Sequence, residues 1–517
     1  MAESQLTPVA GQRRVVIVTA FLASAISLVA EATSEYMLVP IQSEFHLSVD
    51  DTNSLALLPF TGGLLVIFAV GALAVRYGRR AVIVASAASM CLGSALVSFA
   101  PNAQFLIPGR LLCGLGGVGL TVIGLSLINV SFPEPAHRAR AFGALGGLTP
   151  AVFIVAPTLS AVVCATFGWR FVPILWFTGS LAVLALALSC LPARARRPTS
   201  GELVTPLAAG VALTALCAAV TSLVNGGATV VTVIALVIAV ASSVLVAVLV
   251  QRMRSPSLDL RVLRRPGAIL AAGAVLMALV VNIAFYVNLF IQYEFDLPLP
   301  TTAMLLALPE IGGVAGSLAL GALAARIGPG RAATIALATA AVLPITMFAI
   351  SPSSPVWALI ILTVLVYIPC AGTLGPLADY FLGFAPDDGS DAASSVHNAV
   401  TQVGFVLGGL AVGFFAFTGF QRTLTNELTD RGFSTERSYE IAARVRSGVV
   451  AGELVDRSRR DEPDLNPILV QNGSALSQAR VDALHSAAAS LMLSSALGAG
   501  MLVLSARRRF PRREGVN

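Results

Sequence analysis

The sequence contains no lysine. All 33 of its basic residues are arginine, and charge of either sign is scarce, at 12% of 517 residues. Soluble domains carry roughly a quarter. With 56% hydrophobic residues and a mean hydropathy of +0.84, a soluble multidomain protein is excluded and lipid becomes the main solvent. The net charge of +6 does not point to nucleic acid, because the arginines lie mostly in short loops and form no domain-sized basic face. The six cysteines, Cys91, Cys113, Cys164, Cys190, Cys217 and Cys370, sit in or beside apolar runs with no CxxC partner. That excludes a disulfide framework and a zinc site. The four histidines, His46, His137, His397 and His485, are scattered among loops and span ends, so neither a catalytic constellation nor a metal or cofactor is expected. A cleavable signal is not expected either, since the run from Val15 to Ala30 continues through Glu31 to Pro40 as one span.

What is present is apolar run after apolar run. A hydrocarbon core about 30 Å thick asks for about 20 apolar residues per helix. Fourteen such runs occur: 14–37, 54–75, 81–100, 105–130, 141–165, 171–191, 205–225, 229–250, 267–291, 302–325, 332–350, 356–380, 393–418 and 484–506. Only the turn tripeptide Asn225-Gly226-Gly227 separates the seventh from the eighth. Arginine placement orients them. One set of loops carries Arg13, Arg14, Arg76, Arg79, Arg80, Arg138, Arg140, Arg194, Arg196 and Arg197. The same set continues with the stretch from Arg252 to Arg265, then Arg326, Arg331 and the stretch from Arg507 to Arg513. The alternate short loops carry Arg170 beside Glu44, Asp50, Asp51, Glu294 and Asp296. The expectation is a multi-pass protein of a plasma or inner cell membrane with both termini cytoplasmic, as an even number of spans requires.

Nine arginines between Arg422 and Arg480 fall on the outer side, which long loops tolerate because they translocate largely regardless of charge. This segment, 421–484, is the one sizeable polar piece. Within it, residues 437–454 read as a short amphipathic helix and 459–467 as a turn or flexible linker. A loosely structured hairpin is expected, with a partner or substrate-entry module as the alternative.

The chain also repeats itself. Pro59 to Arg80, PFTGGLLVIFAVGALAVRYGRR, returns 250 residues later as PEIGGVAGSLALGALAARIGPGR, Pro309 to Arg331. Pro59 pairs with Pro309, Gly62 and Gly63 with Gly312 and Gly313, and Gly71 to Ala74 with Gly321 to Ala324. Arg76 then pairs with Arg326 and Gly78 with Gly328. Repeats in corresponding positions of two halves mark transporter architecture. The offset divides the chain into a six-span half (1–197), a two-span insert with its linkers (198–265) and a second six-span half (266–517). Glu310 breaks the repeat: its counterpart is Phe60, and it lies roughly 12 Å inside its span. A buried acid at such a place argues for function, with a neutral or paired structural role as the alternative.

Together these features resemble the major facilitator superfamily, and within it the fourteen-span drug:proton antiporter branch, over nearly the whole chain. The resemblance implies an all-α integral membrane fold of two six-helix bundles plus two inserted spans. Gly71-Ala-Leu-Ala-Val-Arg-Tyr-Gly-Arg-Arg80 is similar to the signature between spans 2 and 3, which latches the cytoplasmic side shut. Gly71, Arg76, Gly78, Arg79 and Arg80 are therefore expected to gate, together with Gly321, Arg326 and Gly328 of the second copy. Val75 and Ala325 stand where the signature has Asp, so an interdomain charge contact is expected to be missing. AEATSEYMLVP, 30–40, is similar to the span-1 signature, with Glu31, Thr33 and Pro40 matching and Glu in place of Asp. Span 4 opens FLIPGRLLCGLGGVG, where Arg110, Gly114 and Gly116 resemble a signature whose arginine is tied to proton transfer. Span 5 keeps Pro157 of the antiporter signature, with small residues from Ala156 to Ala161 in place of its glycines. Gly168-Trp-Arg-Phe171 looks like the branch's outer turn into span 6, and an interfacial anchor accounts for Trp169.

Physical chemistry adds to the resemblance. Glu31 and Glu35 are i,i+4 and share a helix face, and a carboxylate inside a span costs roughly 2.5–3.5 kcal/mol on insertion scales. Glu35 lies near enough to the outer interface to reach water. At 1.5 Å per residue, Arg110 sits roughly 7 Å inside a descending helix and Glu31 roughly 8 Å before the end of an ascending one. An Arg110–Glu31 or Arg110–Glu35 pair is thus feasible, either exchanging a proton or statically fixing the packing. In span 9, Asn282 with Tyr286 and Asn288 with Gln292 are i,i+4 pairs that line a cavity or bond across helices. Asp379, Asp387, Asp388 and Asp391 read as solvated loop charge, and Asn398 and Gln402 open span 13.

The reading that results is a proton-coupled exporter of small lipophilic compounds, cations among them, working by alternating access, and not an enzyme. Glu31 and Glu310 are the proton sites, Glu35 is secondary and Arg110 tunes the first-half pair. Asn282, Tyr286, Asn288 and Gln292 face substrate. Expected partners are membrane lipid, a small-molecule substrate and protons, without nucleic acid, and the chain acts as a monomer. The alternatives are an exporter of an endogenous lipid or metabolite, a proton-coupled uptake symporter, a membrane enzyme and a non-transporting sensor.

Overall fold

In lipid every backbone N–H and C=O has to be satisfied within its own segment, so apolar runs of this length become helices. The computed structural model describes residues 10–34, 37–47, 49–132, 134–191, 203–226, 229–252, 260–279, 286–287, 290–291, 294–295, 299–385, 390–450 and 471–509. Among them there is no strand, and twelve helices are long and apolar enough to cross a membrane. The first half comprises α1 (Ala10–Ser34), α3 (Val49–Tyr77), α4 (Arg79–Ser98), α5 (Ala103–Ser131), α6 (Pro135–Phe167) and α7 (Val172–Cys190), with a short α2 (Leu38–Phe45) after α1. The insert is α8 (Val204–Gly226) and α9 (Val230–Arg252). The second half comprises α10 (Pro266–Leu279), α11 (Leu299–Ile327), α12 (Pro329–Val342), α13 (Val356–Leu382), α14 (Ser390–Asp430), α15 (Thr435–Val450) and α16 (Gly473–Arg509). The expected thirteenth span falls on α14 and the expected ninth begins with α10, beside the twelve.

The repeat is present in the backbone. Gly78 turns α3 into α4 at φ 84° and ψ 153°, and Gly328 turns α11 into α12 at φ 91° and ψ 149°. Both values lie in the left-handed range that favours glycine. The paired glycines also do the same packing work. A Cβ at Gly62 would stand 2.6 Å from the Leu111 carbonyl of α5, and one at Gly312 2.8 Å from the Val364 carbonyl of α13. Without side chains there, helix backbones approach closely enough for dispersion to replace the hydrophobic force that lipid cannot supply.

The two halves meet at the arginine-rich end. There α6 packs on α11 and α13, and α14 packs on α3 and α5. Gly143 of α6 faces Gly321 of α11, each glycine's Cβ position being within 2.6 Å of the other's Cα. A single hydrophobic core runs through both halves at this end, from Ile67, Ile123 and Phe142 to Leu337, Leu377 and Phe381. Toward the arginine-poor end the core divides. One cluster, around Met37, Leu106 and Trp176, belongs to the first half. The other, around Val287, Leu359, Phe417 and Leu491, belongs to the second. Closure is therefore one-sided.

The insert does not form a separate body. Gly210 lets α8 press against the Leu65 carbonyl of α3, and α8 also touches α14, so it lies beside the α3–α14 seam. By contrast α9 packs mainly on α8 and is largely exposed.

The polar segment after span 13 corrects an expectation. Its described residues form no loose hairpin. At 41 residues, α14 is roughly 60 Å long, about twice the hydrocarbon thickness, and it carries its register out of the membrane. After the Gly432 turn at φ 95°, α15 folds back and buries Ile441, Ala442 and Val445 against Leu424, Leu428, Ala475 and Ala479. The cap is tied to the second half: Arg480 meets Glu294 at 2.9 Å, and His485 Nε2 lies 3.1 Å from the Ile350 carbonyl. The linker at 459–467 lies outside the described residues.

Candidate functional site

In the first half, a stripe of α1 faces α5. A Cβ at Gly124 would come within 2.6 Å of Ser24 Oγ, and one at Gly117 within 3.0 Å of Ser27 Oγ. Two turns on, the Arg110 guanidinium donates to Ser34 Oγ at 2.5 Å and to the Leu55 carbonyl at 3.3 Å. Glu31 falls between Ser27 and Ser34 on this stripe, about one turn from the level of Ser34 and Arg110, and it is exposed. Arg110 is 3% exposed. Its described partners are thus Ser34 and a backbone carbonyl, while Glu35 lies outside the described residues. Thr33 of the span-1 signature is a structural tie: Trp176 Nε1 donates to its Oγ1 at 2.8 Å and Ser160 Oγ to its carbonyl at 3.2 Å. This bonding holds α1 to α7 and α6.

In the second half, Glu310 Oε1 accepts a hydrogen bond from the Tyr367 hydroxyl of α13 at 3.1 Å. Its orientation follows from spacing. Gly321 faces Gly143, Ser317 faces Gly147 and Gly313 faces Pro150, and Glu310 lies three residues before Gly313. Steps of three and four keep one helix face, so Glu310 continues the α6-facing side of α11, one turn beyond the last glycine contact. Tyr367 has no counterpart in the first half, where Gly114 presses directly on the Pro59 carbonyl. Nothing in the apolar run around Tyr367 marked it in advance, save that it is the only tyrosine within the body of span 12.

Between the halves lies the feature that sequence reading missed. Asp379 and Asp391 are not solvated loop charges, being 1% and 7% exposed. Arg138 Nε reaches Asp379 Oδ1 at 2.6 Å, and Arg79 Nε reaches Asp391 Oδ1 at 2.7 Å. Asp391 also accepts from Ser126 Oγ, and Asn129 Nδ2 donates to Ser390 Oγ at 3.0 Å. The interdomain charge contact expected to be missing is thus made twice, by acids of the second half in place of an Asp at Val75. Asp387 and Asp388 lie outside the described residues.

Other expected gating residues lie toward the arginine-rich end, and Pro157 stands apart from them. A Cβ at Gly71 would stand 2.5 Å from Ser395 Oγ of α14. Arg76 stacks over Tyr77 at 4.9 Å, Arg80 donates to the Leu188 carbonyl at 2.5 Å, and Arg326 is exposed. Pro157 lies inside α6. Of the expected substrate contacts, Asn282, Asn288 and Gln292 lie outside the described residues. Tyr286 is 4% exposed and donates to the Arg480 carbonyl at 2.9 Å, so in this state its hydroxyl ties span 9 to α16.

At the arginine-poor end of the first half a second cluster replaces the expected interfacial anchor. Trp169 is 4% exposed and donates through Nε1 to Glu44 Oε2 at 2.7 Å. Arg170 bonds the same carboxylate at 2.6 Å and stacks over the Trp169 ring at 4.5 Å. The Trp169 and Arg170 hydrogen bonds hold the Glu44 carboxyl below the usual carboxylate range.

The family model described as Major Facilitator Superfamily matches residues 20–409. The chain is similar to the methylenomycin A resistance protein of Streptomyces coelicolor, at 27% identity over 376 residues, covering 70% of this chain and 78% of the relative. It is similar to the multidrug efflux pump LfrA of Mycolicibacterium smegmatis, at 25% over 408 residues, covering 76% and 80%. With the puromycin resistance protein pur8 of Streptomyces alboniger it shares 26% over 470 residues, covering 86% and 91%. Among solved structures, the human organic anion transporter MFSD10 aligns with a TM-score of 0.56 at 15% identity, over 95% of this chain and 99% of that one. At that identity the likeness is one of fold.

Proposed function

Given that the chain belongs to the major facilitator superfamily of transporters, we propose that it is a proton-coupled exporter of small lipophilic compounds, cations among them. The observation that carries this reading is Glu310, a carboxylate inside a span on the face of α11 that turns toward the other half. A carboxylate there is costly unless used. If it binds either a proton or a cationic substrate, the two exchange by mutual exclusion. Glu31 is the proposed first-half proton site, with Glu35 secondary and Arg110 supplying the local positive potential. Substrate contacts are proposed for Asn282, Asn288 and Gln292. The export direction is supported by relatives named as resistance and efflux proteins.

Arginine bias supports a cytoplasmic location for the arginine-rich end and both termini. In that orientation the latch shuts the cytoplasmic side, and Arg79 and Arg138 have to release Asp391 and Asp379 before the cavity turns inward. The small contacts at Gly71 and Gly321 let the seam close, while the Gly78 and Gly328 turns place Arg79 and Arg326. A second reading, export of an endogenous lipid or metabolite, is favoured by the ordered outer cap.

Ethidium transport in everted vesicles with an imposed pH gradient tests the reading in wild type, Glu31→Gln and Glu310→Gln. Full gradient-driven flux in both variants removes the proton assignment. Uptake into whole cells that runs with the inward proton gradient overturns the direction. Ethidium inertness combined with gradient-driven transport of an extracted cell metabolite selects the second reading.

A further inference from the structure

We propose that Tyr367 is the positioning residue for Glu310, and that Gly313 ties the Tyr367 ring to closure of the α6–α11 seam. The proposal rests on Glu310 being the proton site named above. Its geometry is a three-way junction one turn from the carboxylate. A Cβ at Gly313 would stand 2.9 Å from Pro150 Cβ of α6, 3.1 Å from Ala371 Cβ and 3.2 Å from Tyr367 Cδ1 of α13. Pro150 belongs to the first half and Tyr367 to the second, and the bare Gly313 backbone lies against both. The far end of the same tyrosine donates to Glu310 at 3.1 Å.

When Pro150 is seated against Gly313, the ring has little room and the hydroxyl stays on the carboxylate. When the halves part along this seam the ring is released, and Glu310 loses a donor that stabilises its ionised form. The relative position of the halves is thereby read by one hydrogen bond.

Few other groups compete. On α11 the only other charged side chain is Arg326, at the far end. On α6, His137, Arg138 and Arg140 lie at the arginine-rich end and Cys164 near the opposite end. On α12, Arg331 is at the arginine-rich end. On α13, besides Tyr367, Cys370 is nearby, with Asp379 and Tyr380 at the latch. Among the described residues, Tyr367 is therefore the group placed to set when Glu310 exchanges its proton.

The test is an infrared pH titration of the purified full-length protein in lipid nanodiscs, following the protonated-carboxyl stretch. The band lost in Glu310→Gln belongs to Glu310. In Tyr367→Phe its midpoint is expected to move up by about 1–2 pH units, because the lost donor favoured the charged form. Gly313→Ala, whose methyl would unseat Pro150 and push the ring from its place, is expected to move it the same way by less. Combining the two is expected to add nothing beyond Tyr367→Phe, since one acts through the other.

An unmoved midpoint in Tyr367→Phe overturns the positioning role, and additive shifts overturn the link through Gly313. Should Tyr367→Phe fail to fold, Gly313→Ala decides alone, with no shift counting against the proposal. A wild-type spectrum in which Glu310→Gln removes no band at any pH refutes the proton site itself, a separate failure.

Discussion

The two copies of the repeated stretch, Pro59–Arg80 and Pro309–Arg331, share their turn and their close approach and differ in their chemistry. Gly78 and Gly328 turn at φ 84° and 91°, and Gly62 and Gly312 each admit a carbonyl of the neighbouring helix. Two of their differences carry charge onto opposite roles. Phe60, 36% exposed, stands where Glu310 bonds Tyr367. Arg79, paired with Asp391, stands where the second copy has Pro329. Packing was duplicated while function was divided: the first copy holds a cation of the latch, and the second holds the acid of the proposed proton site. The latch has the same polarity throughout, with its cations Arg79 and Arg138 in the first half and its anions Asp379 and Asp391 in the second.

The largest effect that sharpens this contrast is on flux. Glu310→Gln is expected to lower pH-gradient-driven ethidium transport in vesicles by at least ~100-fold, the low end for proton transfer by a positioned side chain. Adding Phe60→Glu to that variant is expected to restore nothing, because the first half has no counterpart of Tyr367. Recovery of flux would break the contrast.

Next comes the latch. Arg79→Asp leaves Asp391 beside a like charge and is expected to cost about 2–3 kcal/mol of closure, less than a fully buried pair because Arg79 is 21% exposed. That is roughly a 100-fold shift toward separated arginine-rich ends, readable as a longer spin-label distance between α3 and α14. The swap Arg79→Asp with Asp391→Arg is expected to recover most of it.

Where the copies are alike, the effects should be alike. Gly62→Ala and Gly312→Ala each drive a Cβ onto a backbone carbonyl, of Leu111 and of Val364. Each is expected to destabilise by about 1–3 kcal/mol, lowering the melting temperature in detergent by similar amounts. A large difference would show that the halves are not packed equivalently.

The smallest effect belongs to Glu44. Its carboxyl is held below the ordinary range, chiefly by Trp169 and then Arg170, so the stability it adds is complete at neutral pH. That stability fades as pH falls below the ordinary carboxylate value and through the lowered one. At 40% exposure the contribution is well under about 1 kcal/mol. Glu44→Gln is expected to flatten the acid side of the melting curve only slightly.

The spans were legible because lipid demands long apolar helices, and the repeat because glycine and proline leave identifiable marks in the sequence. Glu310 was legible because it violates that repeat. The latch was not, since Arg138 and Asp379 are 241 residues apart and each resembles an ordinary loop charge alone. Only packing brings them together. The cap was misread because its apolar positions are spread over α14, α15 and α16, and no single stretch of them is apolar enough to stand out. Trp169 was misread because Glu44, its partner, is 125 residues away.

The length of α14 has one more consequence. Helix α14 enters at the latch through Asp391, crosses the membrane and continues without a break into the cap. It is therefore a lever. A rotation of about 15°, the size known for subunits in allosteric transitions, pivoting at the middle of a roughly 60 Å rod, would carry each end through roughly 8 Å. Parting Arg79 from Asp391 on one side of the membrane would then swing the cap on the other.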